Sequence, residues 1–459
     1  MIEKSRISAL NELPIRDGRY VLYWMQASQR VTYNHALEHA ILRANELKLP
    51  VLVGFGLMDD YPEANERHYA FMLAGLADVH AGLQKRGIRF VVRHGAPHEV
   101  AIELSGHAAL LVCDRGYLRH QRRWRDEVAD EAKCLVEQVE SDAVVPVEEV
   151  SNKAEFAART IRPKINRLRD QYLKELRPHK VRVPSLDLDV TGNLDVSNPQ
   201  ATLARLKVDR SVKAVSRFRG GEREAQTLLR DFITSKLTGY GEGRREPADN
   251  ATSNLSPHLH FGQLSPLQIA LQVRESDAPP ADQEAFLEEL IVRRELALNF
   301  VYFTPEYDAY ASLPGWARKT LAEHRKDKRY RMYSREELEQ ARTEDPYWNA
   351  AQREMNATGF MQNSMRMYWG KKVLEWKQTP EEAYAELLYL NNKYFLCGRD
   401  PASYANVGWI FGLHDRPWQK RAVFGTVRYM NDAGLRRKFD MDAYGQHVAK
   451  MEQGAWDKV

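Results

Sequence analysis

Cysteine is scarce in this chain. Three residues, Cys113, Cys134 and Cys397, are scattered through 459 positions, too few for a disulfide framework and without zinc-finger spacing. That usage points to a reducing cytoplasm. No apolar signal-peptide segment follows Met1, and apolar runs such as Ala108 to Cys113 are far too short to cross a bilayer. The expectation is a chain neither exported nor membrane-embedded. Glycine motifs that cradle phosphates are also missing: no G-x-G-x-x-G follows the first strand pattern, where Trp24 runs into MQASQR, and no G-x-x-x-x-G-K-S/T occurs anywhere. Dinucleotide and P-loop chemistry lose support. His35 and His39 lie four apart in HALEH but lack the glutamate and third ligand of a zinc helix, so they read as a satisfied surface pair and no metal site is expected.

What is present describes a folded chain in two parts. At 43% hydrophobic and 28% charged, 459 residues exceed what one core usually supports. The first 150 residues alternate β-branched runs (Arg19–Trp24, Pro50–Gly56, Arg89–Arg93, Ala109–Asp114) with helical patterns (Asn34–Glu46, Arg67–Arg86). Strands with a helix between each pair predict right-handed βαβ units and a Rossmann-like parallel sheet, with a crevice beyond the carboxyl ends of its strands. Pro184, Gly192, Asn198 and Pro199 mark a connection between domains, and beyond Gly220 the pattern is almost wholly helical. The expected organisation is an α/β domain over 1–180, a linker over 181–220 and a helical domain over 221–459. Net charge is only +4, but basic residues cluster: nine Lys or Arg against four acids from Arg210 to Arg245, and seven against one from Arg416 to Lys438.

Seven of nine tryptophans (Trp316, Trp348, Trp369, Trp376, Trp409, Trp418, Trp456) fall in the helical half. Core packing accounts for any one of them alone. Trp369 and Trp376, seven apart, share a helix face with roughly 10 Å of rise between them, a spacing that also suits electron transfer from a redox cofactor towards the surface. Gly408–Met430 interleaves aromatics with arginines and lysines, as stacking of an exposed nucleotide beside its phosphates requires; a solvated basic face with its aromatics turned inward fits equally. TSNLSPHLHFG, Thr252–Gly262, offers three hydroxyls ahead of a proline, readable as a phosphate grip or as an N-cap. EELIVRRELALNF, Glu288–Phe300, brings Glu289, Arg293 and Glu295 together on an apolar helix, where an intrahelical salt-bridge ladder is the plain reading.

In this order, and over nearly the whole chain, these segments resemble the class II cyclobutane pyrimidine dimer photolyases. YWMQASQRVTYNHAL (Tyr23–Leu37), ARTIRPKIN (Ala158–Asn166), DPYWNA (Asp345–Ala350), RMYWGKKVLEW (Arg366–Trp376), LNNKYFLCGRDP (Leu390–Pro401) and HDRPW (His414–Trp418) join the motifs above. The resemblance implies the photolyase/cryptochrome fold, with an α/β antenna domain and an all-helical FAD-binding domain. It implies FAD phosphates at Tyr240 and Thr252, Ser253, Asn254, Leu255 and Ser256, and the isoalloxazine and adenine near Arg293, Asn363, Arg366 and Asp400. Asn391 matches the asparagine beside the reactive flavin nitrogen, and Trp369, Trp348 and Trp376 match the photoreduction chain. Glu289, Met367, Trp409, Asp415 and Trp418 match lesion-pocket and lesion-strand positions; Arg244, Arg416 and Arg428 match backbone contacts.

Two positions depart from the family pattern. Cys397, in LCGRDP, stands where an aspartate would pair with Arg366, and Arg245, in RREP, stands where an asparagine would reach towards the lesion. The implied activity is light-driven repair, in which excited reduced FAD gives an electron to a dimer flipped out of double-stranded DNA by a monomeric enzyme. A cryptochrome-like photoreceptor would keep the flavin and tryptophans without needing Glu289, Met367, Trp409 and Trp418, so repair is favoured. A nucleotidyl transferase would need an H-x-G-H or S-G-G-x-D-S loop, and neither is present. For an antenna chromophore, the α/β crevice would suit several ring systems, a deazaflavin type among them.

Overall fold

The structure, a computed structural model, describes residues 2–454; Trp456 lies outside the described residues. Six strands form one sheet in the order β1-β6-β5-β2-β3-β4, with β1 Ile7–Ala9, β2 Tyr20–Trp24, β3 Val51–Leu57, β4 Arg89–His94, β5 Ala108–Asp114 and β6 Leu135–Val139. Five strands are parallel, and only β1 pairs antiparallel, with β6. Helices α1 His35–Leu47, α2 Glu66–Lys85, α3 Pro97–Ser105 and α4 Arg119–Glu131 make the crossovers. Burial explains the unbroken apolar strands: every residue of β2, β3 and β5 is buried, as in a sheet covered on both faces. Strand order reverses between β2 and β5, which puts the switch point where the crevice is expected.

The turn after β2 accounts for the missing glycine motif. Asp114, at the end of β5, accepts from the backbone N–H groups of Gln26 (2.9 Å), Ala27 (2.9 Å) and Ser28 (3.0 Å). Such a concavity of N–H groups would otherwise suit a phosphate; here a carboxylate of the chain itself fills it. His35 and His39 are buried rather than a surface pair, because α1 packs them against the sheet. His39 bonds Glu137 of β6 at 2.7 Å, while burial, with Arg6 and Arg30 nearby, keeps His35 neutral well below the usual imidazole range.

Residues 181–220 wrap β4. Asn193 and Leu194 donate to Val92 O, and Val196, Leu206 and Val208 join the core of the sheet, so the edge strand is covered. From Glu222 on, helices dominate. The helix Ala158–Tyr172 packs into the core of this helical half, through Ile161, Ile165 and Tyr172 against Leu229, Phe232 and Leu290. The halves also touch closely elsewhere. Gly262 has a φ of +63°, and any Cβ there would overlap the carbonyl of Ala27; Arg30 donates to Gly262 O at 2.9 Å. Arg67 of α2 donates to the carbonyls of Met355, Asn356 and Tyr394. Among the described residues no helix is long and apolar enough to cross a membrane.

Candidate functional site

The helix Asn363–Trp376 organises the site. Gln362 caps it by accepting from Ser364 N and Met365 N, and Gly359, at φ +70°, ends the preceding helix Pro346–Thr358 in the left-handed conformation that glycine adopts without strain. Arg366, one turn in, donates to Asn391 Oδ1 and lies 4.1 Å over the ring of Phe395. Asn391 sits fully buried on the helix Pro380–Tyr394 and donates to Asn392 Oδ1 at 2.9 Å. Asn392 also accepts from Arg399 N and donates to Glu63 at 2.6 Å. The LCGRDP turn is pressed against that helix: a Cβ on Gly398 would come within 2.8 Å of Asn391 O. This approach brings Cys397 near enough to Arg366 to act on its charge.

Burial pulls the pKa of Arg366 down, offset in part by Cys397 and then by Asp400. Asp400 caps the helix Pro401–Ile410, accepting from Ala402 N at 2.6 Å, and lies 3.5 Å from His260 Nδ1. Burial opposes its charge, but His260 outweighs this and holds the carboxyl below its ordinary range. The chain surrounds Arg366, His260 and Asp400, yet each keeps some accessible surface. Thr252, Ser253 and Ser256 flank a turn in which Asn254 has a φ of +56°, and among the described residues neither serine hydroxyl has a hydrogen-bond partner. Tyr240 is buried against Phe232 and Phe286. A cation, amides and free hydroxyls are the groups a flavin dinucleotide needs; Asn363, by contrast, is exposed.

All three tryptophans are buried and consecutive. Trp369 donates to Gln352 Oε1 at 2.8 Å and meets Phe395 edge-on at 6.3 Å, which links it to Arg366. Trp348 donates to Trp369 O at 3.0 Å, and its ring is 5.3 Å from that of Trp376. Trp376 ends the row beneath Tyr333 and Lys372 rather than open to solvent.

Elsewhere in the helical half, the sequence expectations meet corrections. The Glu288–Arg293 stretch is one π-helical turn between Pro280–Leu287 and Arg294–Phe303, a feature frequent at functional sites. The expected ladder of Glu289, Arg293 and Glu295 is therefore absent, since the extra residue per turn splays the three apart. Glu289 pairs with Arg244 at 2.6 Å, Arg293 pairs with Glu288 and stacks on Trp409 at 5.3 Å, and Glu295 turns inward to accept from Val144 N and Val145 N. Arg244 is thus committed to Glu289, while Arg245 is exposed beside Glu242. Met367 is half-buried one residue beyond Arg366. Residues 414–430 form a hairpin-like loop, closed by Trp418 N to Thr426 O and Arg421 N to Gly425 O. On it Trp418, 40% exposed, lies between Arg416 (5.0 Å) and Arg428 (5.1 Å), its indole donating to Asp415. An aromatic face flanked by two cations stays open to solvent, so the inward-turned reading does not hold for Trp418.

Sequence reasoning missed Lys371. It is fully buried, donates to Ile410 O and is pushed down to about 7 by burial; no periodicity could have shown that its amine ties the hairpin's root to the central helix. Gln352, Asn392 and Phe395 were also missed, although the last two lie within LNNKYF.

A cleft open to solvent lies between the halves at the switch point. Tyr61, Tyr117, Trp124 and Phe261 line it with Arg115 and Arg399. Two polar atoms of its wall residues, Gln29 Oε1 and Arg399 Nε, have no partner.

Residues 21–184 match the family profile described as DNA photolyase. A deoxyribodipyrimidine photo-lyase of Methanothermobacter thermautotrophicus is 47% identical over 98% of this chain and 99% of its own length. The chain belongs to the DNA photolyase family. A second photo-lyase, from Arabidopsis thaliana, is 41% identical over 94% of this chain and 89% of its own. Among solved structures, an archaeal photolyase of Sulfolobus tokodaii described with two FAD molecules superposes with a TM-score of 0.67 at 17% identity, covering 96% of this chain and 94% of that one. That likeness shows the photolyase fold, with a parallel-sheet α/β half and a helical half.

Proposed function

We propose that this photolyase is a class II enzyme that uses light to split cyclobutane pyrimidine dimers in duplex DNA. One observation supports the reading: Arg366 and Asn391, hydrogen-bonded to each other, connect through Phe395 to the buried row Trp369–Trp348–Trp376. Reduced FAD, when bound, supplies a donor that light can excite to pass an electron to the dimer. The chain's tasks surround that event. Tyr240 and the Thr252–Ser256 turn hold the cofactor's phosphates, and Arg366, Asn391 and Asp400 orient its rings. The tryptophans relay electrons inward along the row from Trp376, beneath Tyr333, towards the flavin. Arg416 and Arg428 hold backbone phosphates while Trp418 stacks in the space left by the extruded bases. Glu289, Met367 and Trp409 wall the flipped dimer and exclude water.

The cleft at the switch point is part of the same reading. Its aromatic and cationic lining, with two unpaired polar atoms, suits a planar antenna chromophore of deazaflavin type, and its wall shares Arg399 and Asp400 with the flavin side. Division into an antenna unit over 1–180, a connector over 181–220 and a catalytic unit over 221–459, action as a monomer, and a cytoplasmic setting inferred from cysteine usage complete it. The test is an absorption spectrum of the purified protein followed by illumination with an oligonucleotide carrying one thymine dimer. Flavin bands and light-dependent loss of the dimer are expected; flavin bands with no repair under reducing conditions would point to a photoreceptor instead.

A further inference from the structure

Beside the hairpin lies a segment to which nothing above assigns a role. From Arg325 to Arg331 the chain carries five cations, Arg325, Lys326, Lys328, Arg329 and Arg331, against a single acid within the segment, Asp327, while Arg325 and Arg331 pair with Glu381 (3.6 Å) and Glu344 (2.6 Å) outside it. That acid is already engaged, accepting from Val423 N at 2.8 Å and pairing with His324 at 2.6 Å. Among the described residues Lys326 and Lys328 form no ion pair. Tyr330 and Met332 stand out at 80% and 59% exposure, and Lys328 lies 5.3 Å over the Tyr330 ring. An exposed aromatic ring beside a cation repeats, on a smaller scale, the arrangement of Arg416, Trp418 and Arg428.

The segment's position is fixed at both ends. Asp327 holds the hairpin tip through Val423, and Thr320 holds it again through Thr426 N at 3.0 Å. Arg329 donates to Lys377 O, and Tyr333 packs on Trp376, so the segment lies at the far end of the helix that carries Met367. The nine steps from Met367 to Trp376 span roughly 13 Å of helix axis, about four base-pair steps of DNA.

We propose that Arg325–Met332 is a second DNA contact, gripping the phosphate backbone of the duplex about four base pairs from the dimer. The exposed Lys420 and Arg421 share the hairpin with Arg416 and Arg428, and Asp327 and Thr320 hold that hairpin against this segment. The inference rests on the repair reading above and specifies how much duplex the enzyme engages.

The test uses holoenzyme carrying Lys326→Glu and Lys328→Glu together, and separately Tyr330→Ala, with dimer-containing duplexes whose flanks grow from two to twelve base pairs. All three side chains are exposed, so folding is not at stake. For long flanks the double variant is expected to bind about tenfold more weakly, with the slope of log affinity against log salt reduced by about 2. Tyr330→Ala is expected to weaken binding to long flanks only. Affinity for a short single-stranded oligonucleotide with the same dimer should be unchanged. Equal affinity and salt slope for wild type and double variant on long flanks would overturn the proposal, as would an equal loss on the short single strand. A wild-type enzyme that binds no dimer-containing DNA would overturn the repair reading itself, a separate outcome.

Discussion

The indole N–H of Trp348 donates to the backbone carbonyl of Trp369 at 3.0 Å. The middle ring of the row is thereby keyed to the chain position of the first, while Gln352 fixes the Trp369 indole. Two buried donors with defined partners leave the rings little freedom to rotate, and electron transfer depends on that constancy.

Replacing Trp369 by Phe should abolish photoreduction of the bound flavin under blue light, with at least a tenfold loss in rate. Chemically reduced enzyme should still repair dimers. Gln352→Leu should leave the ring in place but loosen it, giving a smaller loss. Bleaching of the flavin band under steady illumination measures both, and an unimpaired Trp369→Phe variant would remove the row from the pathway.

At the hairpin, Arg416→Ala and Arg428→Ala should weaken binding to damaged and undamaged DNA alike, each lowering the salt slope by about 1. Trp418→Ala should instead cut the preference for the dimer, on the order of tenfold, because stacking is what distinguishes an emptied duplex position. Fluorescence anisotropy with matched damaged and undamaged duplexes separates the two effects; retained preference in Trp418→Ala would return that ring to a packing role.

Cys397 lies near Arg366 in the place where an aspartate would neutralise it, and a side chain without a carboxylate offers the guanidinium less negative charge. The guanidinium therefore keeps more uncompensated charge beside the flavin, which favours the anionic reduced cofactor. Cys397→Asp should lower the flavin's two-electron midpoint potential by on the order of 30 mV, the equivalent of about 1.4 kcal/mol. Spectroelectrochemical titration of both proteins decides it, and coincident curves would show that this position does not set the potential.

Glu295 predicts a pH dependence of stability. Burial raises its pKa to about 8, overcoming the bonds from Val144 N and Val145 N and the charge of Arg294. A folded-state value above the unfolded one means that the stabilising contribution is complete below about 4.5 and lost as pH rises through about 8. Glu295→Gln keeps an oxygen for both N–H groups and cannot ionise. Its melting temperature should exceed that of wild type by several degrees at pH 9 and match it near pH 5; parallel curves across that range would place the ionisation elsewhere.

Legibility in the sequence followed how local each signal was. The four strands read from apolar runs, Tyr20–Trp24, Val51–Leu57, Arg89–His94 and Ala108–Asp114, lie within two residues of expectation; burial on both faces demands continuous hydrophobes in three of them, and the edge strand Arg89–His94 shows through its buried Val91 and Val92. Ile7–Ala9 went unseen because three residues carry no period, and Leu135–Val139 because Glu137 and Gln138 interrupt it. The π turn at Glu288–Arg293 was invisible, since one slipped hydrogen-bond register barely disturbs a helical pattern. Motif residues close in sequence, such as Arg366 with Trp369 and Trp376, could be placed on one helix beforehand. Pairings across the fold, Arg244 with Glu289 and Asp114 with the turn after β2, depend on strand order and helix packing that no window of sequence contains.

The tight seam between the halves, where Gly262 admits no side chain against Ala27 and Arg67 grips three carbonyls across the boundary, bears on how the molecule comes apart. With Ala158–Tyr172 buried in the opposite core, neither half can melt without exposing the other's interior. Heating should give one calorimetric peak for both halves, and a protease cut within 181–220 should leave a nicked particle that still sediments as a single species.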